Sequence, residues 1–266
     1  MPELPEVETI RRGLEEGFLG ARLSGIEVRD RRLLRDCTLS ELERLRGRGL
    51  KGVSRRGKFL ILDFEGQAVV IHLRMTGRLL SQEEGHTRLI LHFSGGKRLV
   101  LDDLRRFATL HCVPTDQLEE FEPLRRLGIE PFTPSYTFEN FQEILRTKQE
   151  IKRLLLDQRR IVGLGNIYAG EALFRAGIHP ERRADSLSRE EAHRLFKVIP
   201  ELLKEAIALQ GTTISDYRTA SGESGGFQEF LQVYGRGGRP CRRCGTPIEQ
   251  ISQGGRSTHF CPRCQS

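Results

Sequence analysis

Apolar residues between positions 59 and 103 come in short bursts: KFLILDF, AVVIHLRMTG, TRLILHF and KRLVLDDL, divided by polar or Gly-containing turns such as EGQ and SGGK. Runs this short, rich in Val, Ile and Leu and closed by turn residues, predict β-strands, and four or more in succession predict a sandwich or barrel. Residues from about 20 to 112 therefore read mainly as strand. Ahead of them Val7, Ile10 and Leu14 recur at helical spacing. Pro5 presets the first turn of that helix, and Glu6 and Glu8 suit its positive end.

The period changes after a proline-rich stretch around GIEPFTPSYTF, where Pro123, Pro131 and Pro134 mark a linker. NFQEILRTKQEIKRLLLDQ and SREEAHRLFKVIPELLKEAIALQG carry helical periodicity. A capping box of Ser188 and Glu191 opens the second helix, Gly211 closes it, and Pro200 is expected to kink or restart it. The pattern predicts an α+β, multidomain chain: a β domain over 1–130, a helical domain over 131–234 and a small metal-bound tail over 235–266.

Charge adds direction to this plan. The 266 residues carry 43 Lys plus Arg against 36 Asp plus Glu, a net charge of +7, with a pI near 9.3. The excess is concentrated at the end, where Arg236, Arg239, Arg242, Arg243, Arg256 and Arg263 face the single acid Glu249. Clustered cations neutralise phosphates better than scattered ones, which favours a nucleic-acid partner. No stretch reaches the roughly 20 apolar residues that span a bilayer, and the N-terminus lacks the order of a signal peptide, so a cytosolic protein is expected.

Four of the six cysteines form one pattern. Cys241, Cys244, Cys261 and Cys264 give C-x2-C-x16-C-x2-C. Paired cysteines two residues apart bring two sulfurs to one ion from a tight turn, and four thiolates close a tetrahedral zinc site with no open position. The metal expected is therefore one structural Zn2+. The hairpin between the two knuckles carries Arg256 at its tip or return strand. Cys37 and Cys112 are isolated in sequence and read as small buried or half-buried thiols.

In the helical part, IVGLGNIYAGEALFRAGIHP places Gly163 and Gly165 before Asn166, a good N-cap, and a helical run. Free N–H groups at such a helix start suit a DNA phosphate, although a glycine turn joining two packed helices fits the same residues. A nucleotide-binding P-loop is disfavoured, because the Lys and Ser/Thr that should follow are missing.

Taken together, MPELPEVET, RRGKF around Lys58, HLRMTGR at 72–78, LRRF at 104–107, VGLGNIYAGEALFRAGIHP at 162–180, GGFQEFLQVYGR at 225–236 and the four cysteines resemble the bacterial formamidopyrimidine-DNA glycosylase family from end to end. The resemblance implies an N-terminal β-sandwich with a leading helix, a helix-two-turn-helix domain and a zinc ribbon. It implies a monomeric enzyme of base excision repair, without an organic cofactor, acting on double-stranded DNA that contains a damaged base or an abasic site. Met1 is removed in that family, and Pro2 becomes the amine nucleophile.

By the same resemblance Glu3 is the acid/base on the opening sugar, Lys58 a proton donor for β-elimination and phosphate contact, and Arg256 a phosphate ligand that assists δ-elimination. Glu6 and Glu171 are supporting carboxylates. Met75, Arg105 and Phe107 fill the space left by an extruded base, with Arg105 reading the opposite cytosine. His86, Arg88, Lys148, Lys152 and Asn166 fall where the family contacts phosphate, and residues 217–230 resemble a loop that closes over an oxidised purine. Ala108 stands where glycine is usual.

Two rivals remain. An endonuclease VIII type glycosylase for oxidised pyrimidines shares the superfamily, but Leu4 and the GGFQEFLQVYGR stretch resemble the purine enzyme. A non-catalytic zinc-ribbon DNA-binding protein would have no use for Pro2, Glu3 and Lys58.

Overall fold

The computed structural model describes residues 1–214 and 222–266. It divides into two compact units, one of residues 1–126 with 207–228, the other of residues 127–206 with 229–266. Residues 217–221 of the expected closing loop lie outside the described residues.

The first unit begins with helix α1 (Leu4–Phe18), whose Val7, Ile10 and Leu14 are buried as their spacing predicts. Eight strands follow: β1 (Leu23–Val28), β2 (Gly52–Arg56), β3 (Phe59–Asp63), β4 (Gln67–His72), β5 (Gly77–Leu80), β6 (Thr87–Phe93), β7 (Arg98–Asp103) and β8 (Thr109–Pro114). They form two antiparallel sheets, ordered β1-β6-β7-β5 and β2-β3-β4-β8. Leu60, Leu62, Val69, Ile71 and Leu110 of one sheet join Leu89, Leu91, Leu99 and Leu101 of the other and the inner face of α1 in a single core. The sandwich is thus built by the apolar bursts, and the edge strands β1, β2 and β5 add Leu23, Ile26, Val53 and Leu79 to the same core. Short helices α2 (Leu39–Glu43) and α3 (Glu122–Arg125) close the surface.

Cys37 and Cys112 are not separate thiols. They are joined by a disulfide with Cα atoms 5.0 Å apart. The parallel bridge between Leu34 and Leu110 brings the two segments together, a contact that no local pattern announces. Because the link closes a loop with a separation of 75 residues, reduction should lower stability by roughly 4 kcal/mol on a chain-entropy argument. Urea unfolding with and without a thiol reductant checks this; an unchanged midpoint would contradict it.

The second unit holds α4 (Phe138–Leu145), α5 (Ile151–Leu156), α6 (Asn166–Ala176), most of α7 (Arg189–Ala208) and the hairpin of β9 (Glu249–Gln253) and β10 (Arg256–Phe260). The first helical run of the sequence is interrupted: the chain leaves α4 at Arg146, and Gln149 and Glu150 instead pair with Ala184 and Arg183. Helix α7 runs through Pro200 without restarting. Its Ser188–Glu191 capping box forms as expected, with both reciprocal bonds in place. Among the described residues, no helix is long and apolar enough to cross a membrane.

Candidate active site and DNA interface

The start of the chain is held by α1 itself. Pro2, Glu3 and Glu6 are buried, with Glu3 at the N-cap. Glu6 does more than favour the helix dipole. Its Oε2 accepts the Glu3 N–H at 2.8 Å, and its Oε1 accepts the Thr212 N–H at 2.8 Å. One carboxylate therefore ties the N-terminal residues to the segment that follows α7. Gly211, at φ +82°, makes this approach possible, since a Cβ there would lie 2.7 Å from Glu6 Oε1.

Lys58 is buried where β2 turns into β3. Beside it, Arg55 donates to Glu8 at 3.2 Å and to the Gly57 carbonyl at 2.9 Å, which fixes the turn. Across β4, His72 packs edge-on against Phe59 at 4.6 Å, and its Nδ1 accepts the Arg74 N–H at 3.0 Å. Burial, with Arg74 and Lys58 adding positive charge nearby, pushes the His72 pKa down to about 3. His72 stays a neutral acceptor that supports the Met75 turn.

This burial makes stability depend on pH. The unfolded chain takes up a proton on this histidine near pH 6.5 and the folded one only near 3. Stability is complete above 6.5 and is lost as pH falls through that window, by about 2 kcal/mol at pH 5. The gap between denaturant midpoints at pH 7.5 and 5 should narrow in His72→Gln, the rest staying with His111 and His259, whose pKa values burial also lowers; an equal acid sensitivity in the variant would refute this.

Met75 and Phe107 are exposed, as are Arg105 and His86. Met75 sits between β4 and β5, and Arg105 and Phe107 between β7 and β8. Met1, Phe59, Arg74, Met75, Arg106 and Phe107 line one open cavity of about 690 Å3. The N-terminus and the two apolar side chains expected to enter a duplex therefore share a single concavity. Arg88 is engaged by the fold, its Nε donating to the Asp103 carbonyl at 2.9 Å.

In the second unit, Gly165 and not Asn166 takes the N-cap of α6. Asn166 is the first helical residue, and its amide Nδ2 donates to the Ser257 carbonyl at 3.0 Å. Lys152 is 1 % exposed; its Nζ donates to Asn166 Oδ1 at 2.8 Å and Thr258 Oγ1 at 2.6 Å. These bonds join the glycine turn to the strand that begins at Arg256. Gln253 extends the link, donating to Glu150 and to the Pro180 carbonyl. Lys148 and Arg256 remain exposed. Glu171, fully buried, accepts the N–H groups of Gln232, Val233 and Tyr234 at 2.8, 2.9 and 2.9 Å. Burial pushes its carboxyl pKa up, and the three N–H donors draw it partly back.

The sulfurs of Cys241, Cys244, Cys261 and Cys264 all lie within 4.8 Å of one another, with 4.0 Å between Cys241 and Cys264 and 3.4 Å between Cys244 and Cys261. Thiolates at Zn–S distances of about 2.3 Å stand roughly 3.8 Å apart on a tetrahedron, so the cluster fits one zinc. Cys241 and Cys261 also pack with Phe174, Val233 and Ile248, which fastens the knuckles to α6.

Residues 1–110 match the formamidopyrimidine-DNA glycosylase N-terminal domain, 127–218 its H2TH domain, and 238–266 the zinc finger found in FPG and IleRS. The formamidopyrimidine-DNA glycosylase of Cytobacillus firmus is 46% identical over 273 residues, covering 100% of both chains. The chain belongs to the formamidopyrimidine-DNA glycosylase family. Its fold agrees with that of solved family members. The MutM (Fpg) protein of Thermus thermophilus superposes with a TM-score of 0.92 at 45% identity, covering 99% of this chain and 98% of that one. The Lactococcus lactis Fpg, solved in complex with DNA containing an abasic site, gives a TM-score of 0.93 at 38% identity over 99% of each chain. The family's zinc finger accounts for the single structural Zn2+ held by the four cysteines.

Residues to which the sequence patterns assign no role include His72 and Thr76, within HLRMTGR, and Asp102, Asp103 and Thr212. The one available signal is the tandem acid DD at the end of the apolar β7 run, because charges at the end of a buried strand need partners.

Proposed function

We propose that this DNA glycosylase and apurinic-site lyase of base excision repair removes oxidised purines, 8-oxoguanine and formamidopyrimidines, from duplex DNA through the amine of Pro2 after Met1 is cleaved off. The observation that carries the reading is that Met1 lines the same cavity as Met75 and Phe107, so its removal leaves the Pro2 amine beside the residues that replace the extruded base.

An α-amino group holds its proton less tightly than a lysine and is a usable nucleophile near neutrality. Attack on the sugar C1′ displaces the base, which leaves with the C–N electron pair and takes up a proton, and breaking of the C1′–O4′ bond then gives a cationic imine. The imine acidifies the C2′ hydrogen; the 3′ phosphate leaves with its C–O electron pair, the 5′ phosphate follows by δ-elimination, and water frees the amine. Glu3 moves the proton on the ring oxygen as the sugar opens, Lys58 serves β-elimination, and Arg256 holds phosphate and assists the δ step. Glu6 keeps the N-terminus in place through Thr212, and Glu171 shapes residues 232–234.

Met75, Arg105 and Phe107 occupy the gap in the duplex, Arg105 offering donors to the orphaned cytosine. His86, Lys148 and Asn166 hold the phosphate backbone, with Lys152 setting the Asn166 amide. This reading keeps the three-part division at 1–130, 131–234 and 235–266, a monomer as the working form, and the bacterial cytoplasm, at the nucleoid, as the place of action. Leu4 and GGFQEFLQVYGR favour the purine substrate. Single-turnover excision on 8-oxoguanine opposite cytosine and on 5,6-dihydrouracil opposite guanine tests this; faster removal of the pyrimidine lesion would overturn the choice.

A further inference from the structure

The turn 73–76 that carries Met75 and the turn 104–108 that carries Arg105 and Phe107 are joined through two buried side chains. Thr76 and Asp103 are 6 % and 1 % exposed. The Thr76 hydroxyl donates to Asp103 Oδ1 at 2.5 Å, and its oxygen accepts the Arg105 N–H at 3.1 Å. Asp103 Oδ2 accepts the Ala108 N–H at 2.8 Å. The carboxylate therefore holds one turn by its closing N–H and the other by a side chain, and the threonine closes the circuit back to Arg105.

Both turns need such support. Arg74, just before Met75, has φ +55°, and Arg106, just before Phe107, has φ +60°; these are left-handed conformations that side-chain-bearing residues leave unless the surroundings over-determine them. Gly77 adds to the constraint, because a Cβ there would lie 2.4 Å from the Leu73 carbonyl oxygen. The neighbouring Asp102 does parallel work for His86, accepting its N–H at 2.8 Å and the Arg78 guanidinium at 2.7 Å.

We propose that Thr76 and Asp103 are positioning residues that lock the Met75 turn to the Arg105–Phe107 turn, so that the three side chains enter the duplex as one preformed wedge. The inference rests on the reading of Met75, Arg105 and Phe107 as the gap-filling group. A preformed wedge matters most where a paired, stacked base must be opened, and least where the opening has no cost. It has no part in the chemistry at Pro2.

The test compares wild type, Thr76→Val, Thr76→Ser and Met75→Ala in single-turnover assays. The substrates are 8-oxoguanine paired with cytosine, 8-oxoguanine facing an abasic gap, and a preformed abasic site. Thr76→Val, which has the threonine shape without the hydroxyl, should slow excision of the paired lesion by about tenfold or more, the scale of one buried hydrogen bond to a charged group. It should stay within about twofold of wild type on the abasic site, where that cost is absent. Thr76→Ser should restore the paired-lesion rate. If Thr76→Val fails to fold by circular dichroism, Thr76→Ala replaces it in the same comparison.

Equal slowing on all three substrates, or no rescue by serine, would overturn the lock. A slow Met75→Ala beside a fast Thr76→Val would also sink it while leaving the wedge intact. A fast Met75→Ala on the paired lesion would instead remove the wedge reading beneath it.

Discussion

Protein that retains Met1 should neither excise 8-oxoguanine nor cleave an abasic site, and its defect should match that of wild type whose N-terminal amine has been blocked chemically. The argument is one of atoms. Met1 converts the secondary amine of Pro2 into an amide, whose nitrogen lone pair is delocalised into the carbonyl and cannot attack C1′. With the nucleophile gone, both activities should fall together by about 10^4-fold or more, the scale seen when a covalent catalyst is removed. DNA binding should survive, because the phosphate-binding groups proposed here, His86, Lys148, Asn166 and Arg256, are unchanged. Intact mass and single-turnover rates on fractions with and without Met1 check this; a Met1-bearing fraction that still cleaves would show that another amine does the chemistry.

The second large effect concerns zinc. Chelation, or Cys244→Ser, should weaken binding to an abasic-site duplex by at least about hundredfold, since without metal the knuckles lose the force that folds them. The loss should reach beyond Arg256. Ser257 and Thr258, next to it on β10, are partners of Asn166 and Lys152, so unravelling the hairpin removes the acceptors that orient the Asn166 amide. The sandwich has its own core of Leu60, Leu62, Leu89, Leu91 and Leu101 and should keep its strand signal in circular dichroism. Gel-shift titration beside far-ultraviolet spectra distinguishes the cases: tight binding after zinc loss would make the ribbon dispensable, and loss of the strand signal would show that the metal holds more than its own hairpin.

Legibility in the sequence follows the range of the interaction. The strands β3, β4, β6 and β7 are visible because burial of both faces writes continuous apolar runs. The ribbon is visible because ligand spacing within each knuckle is local. The Ser188–Glu191 box is visible for the same reason. Contacts between distant segments leave no such trace. Cys37 and Cys112 give no sign of their partnership, and Glu6 looks like a helix-start charge until Thr212 meets it. The sequence suggests that Asn166 caps a helix with its own side chain; Gly165 caps instead, and the amide is committed to a strand 91 residues on. The helical period across 140–158 runs through a break that only the pairing of Gln149 and Glu150 with 183–184 explains.

The side chains proposed as catalytic are legible in a different way. Physics distinguishes Pro5, which starts a helix, from Pro2, which has no structural task, but the chemistry of Pro2 comes with the family resemblance. Three-dimensional structure adds the setting: a buried Pro2 and Glu3, the Glu3 N–H held by Glu6, a neutral His72 under the Met75 turn, and a cavity that Met1 shares with Met75 and Phe107.

The most direct test of this account is to trap the protein on an abasic-site duplex with borohydride, digest the adduct and locate the linkage by tandem mass spectrometry. A single DNA-bearing peptide that begins at Pro2, reduced at its α-nitrogen, is expected; a linkage on Lys58 or any other lysine would contradict the role of Pro2.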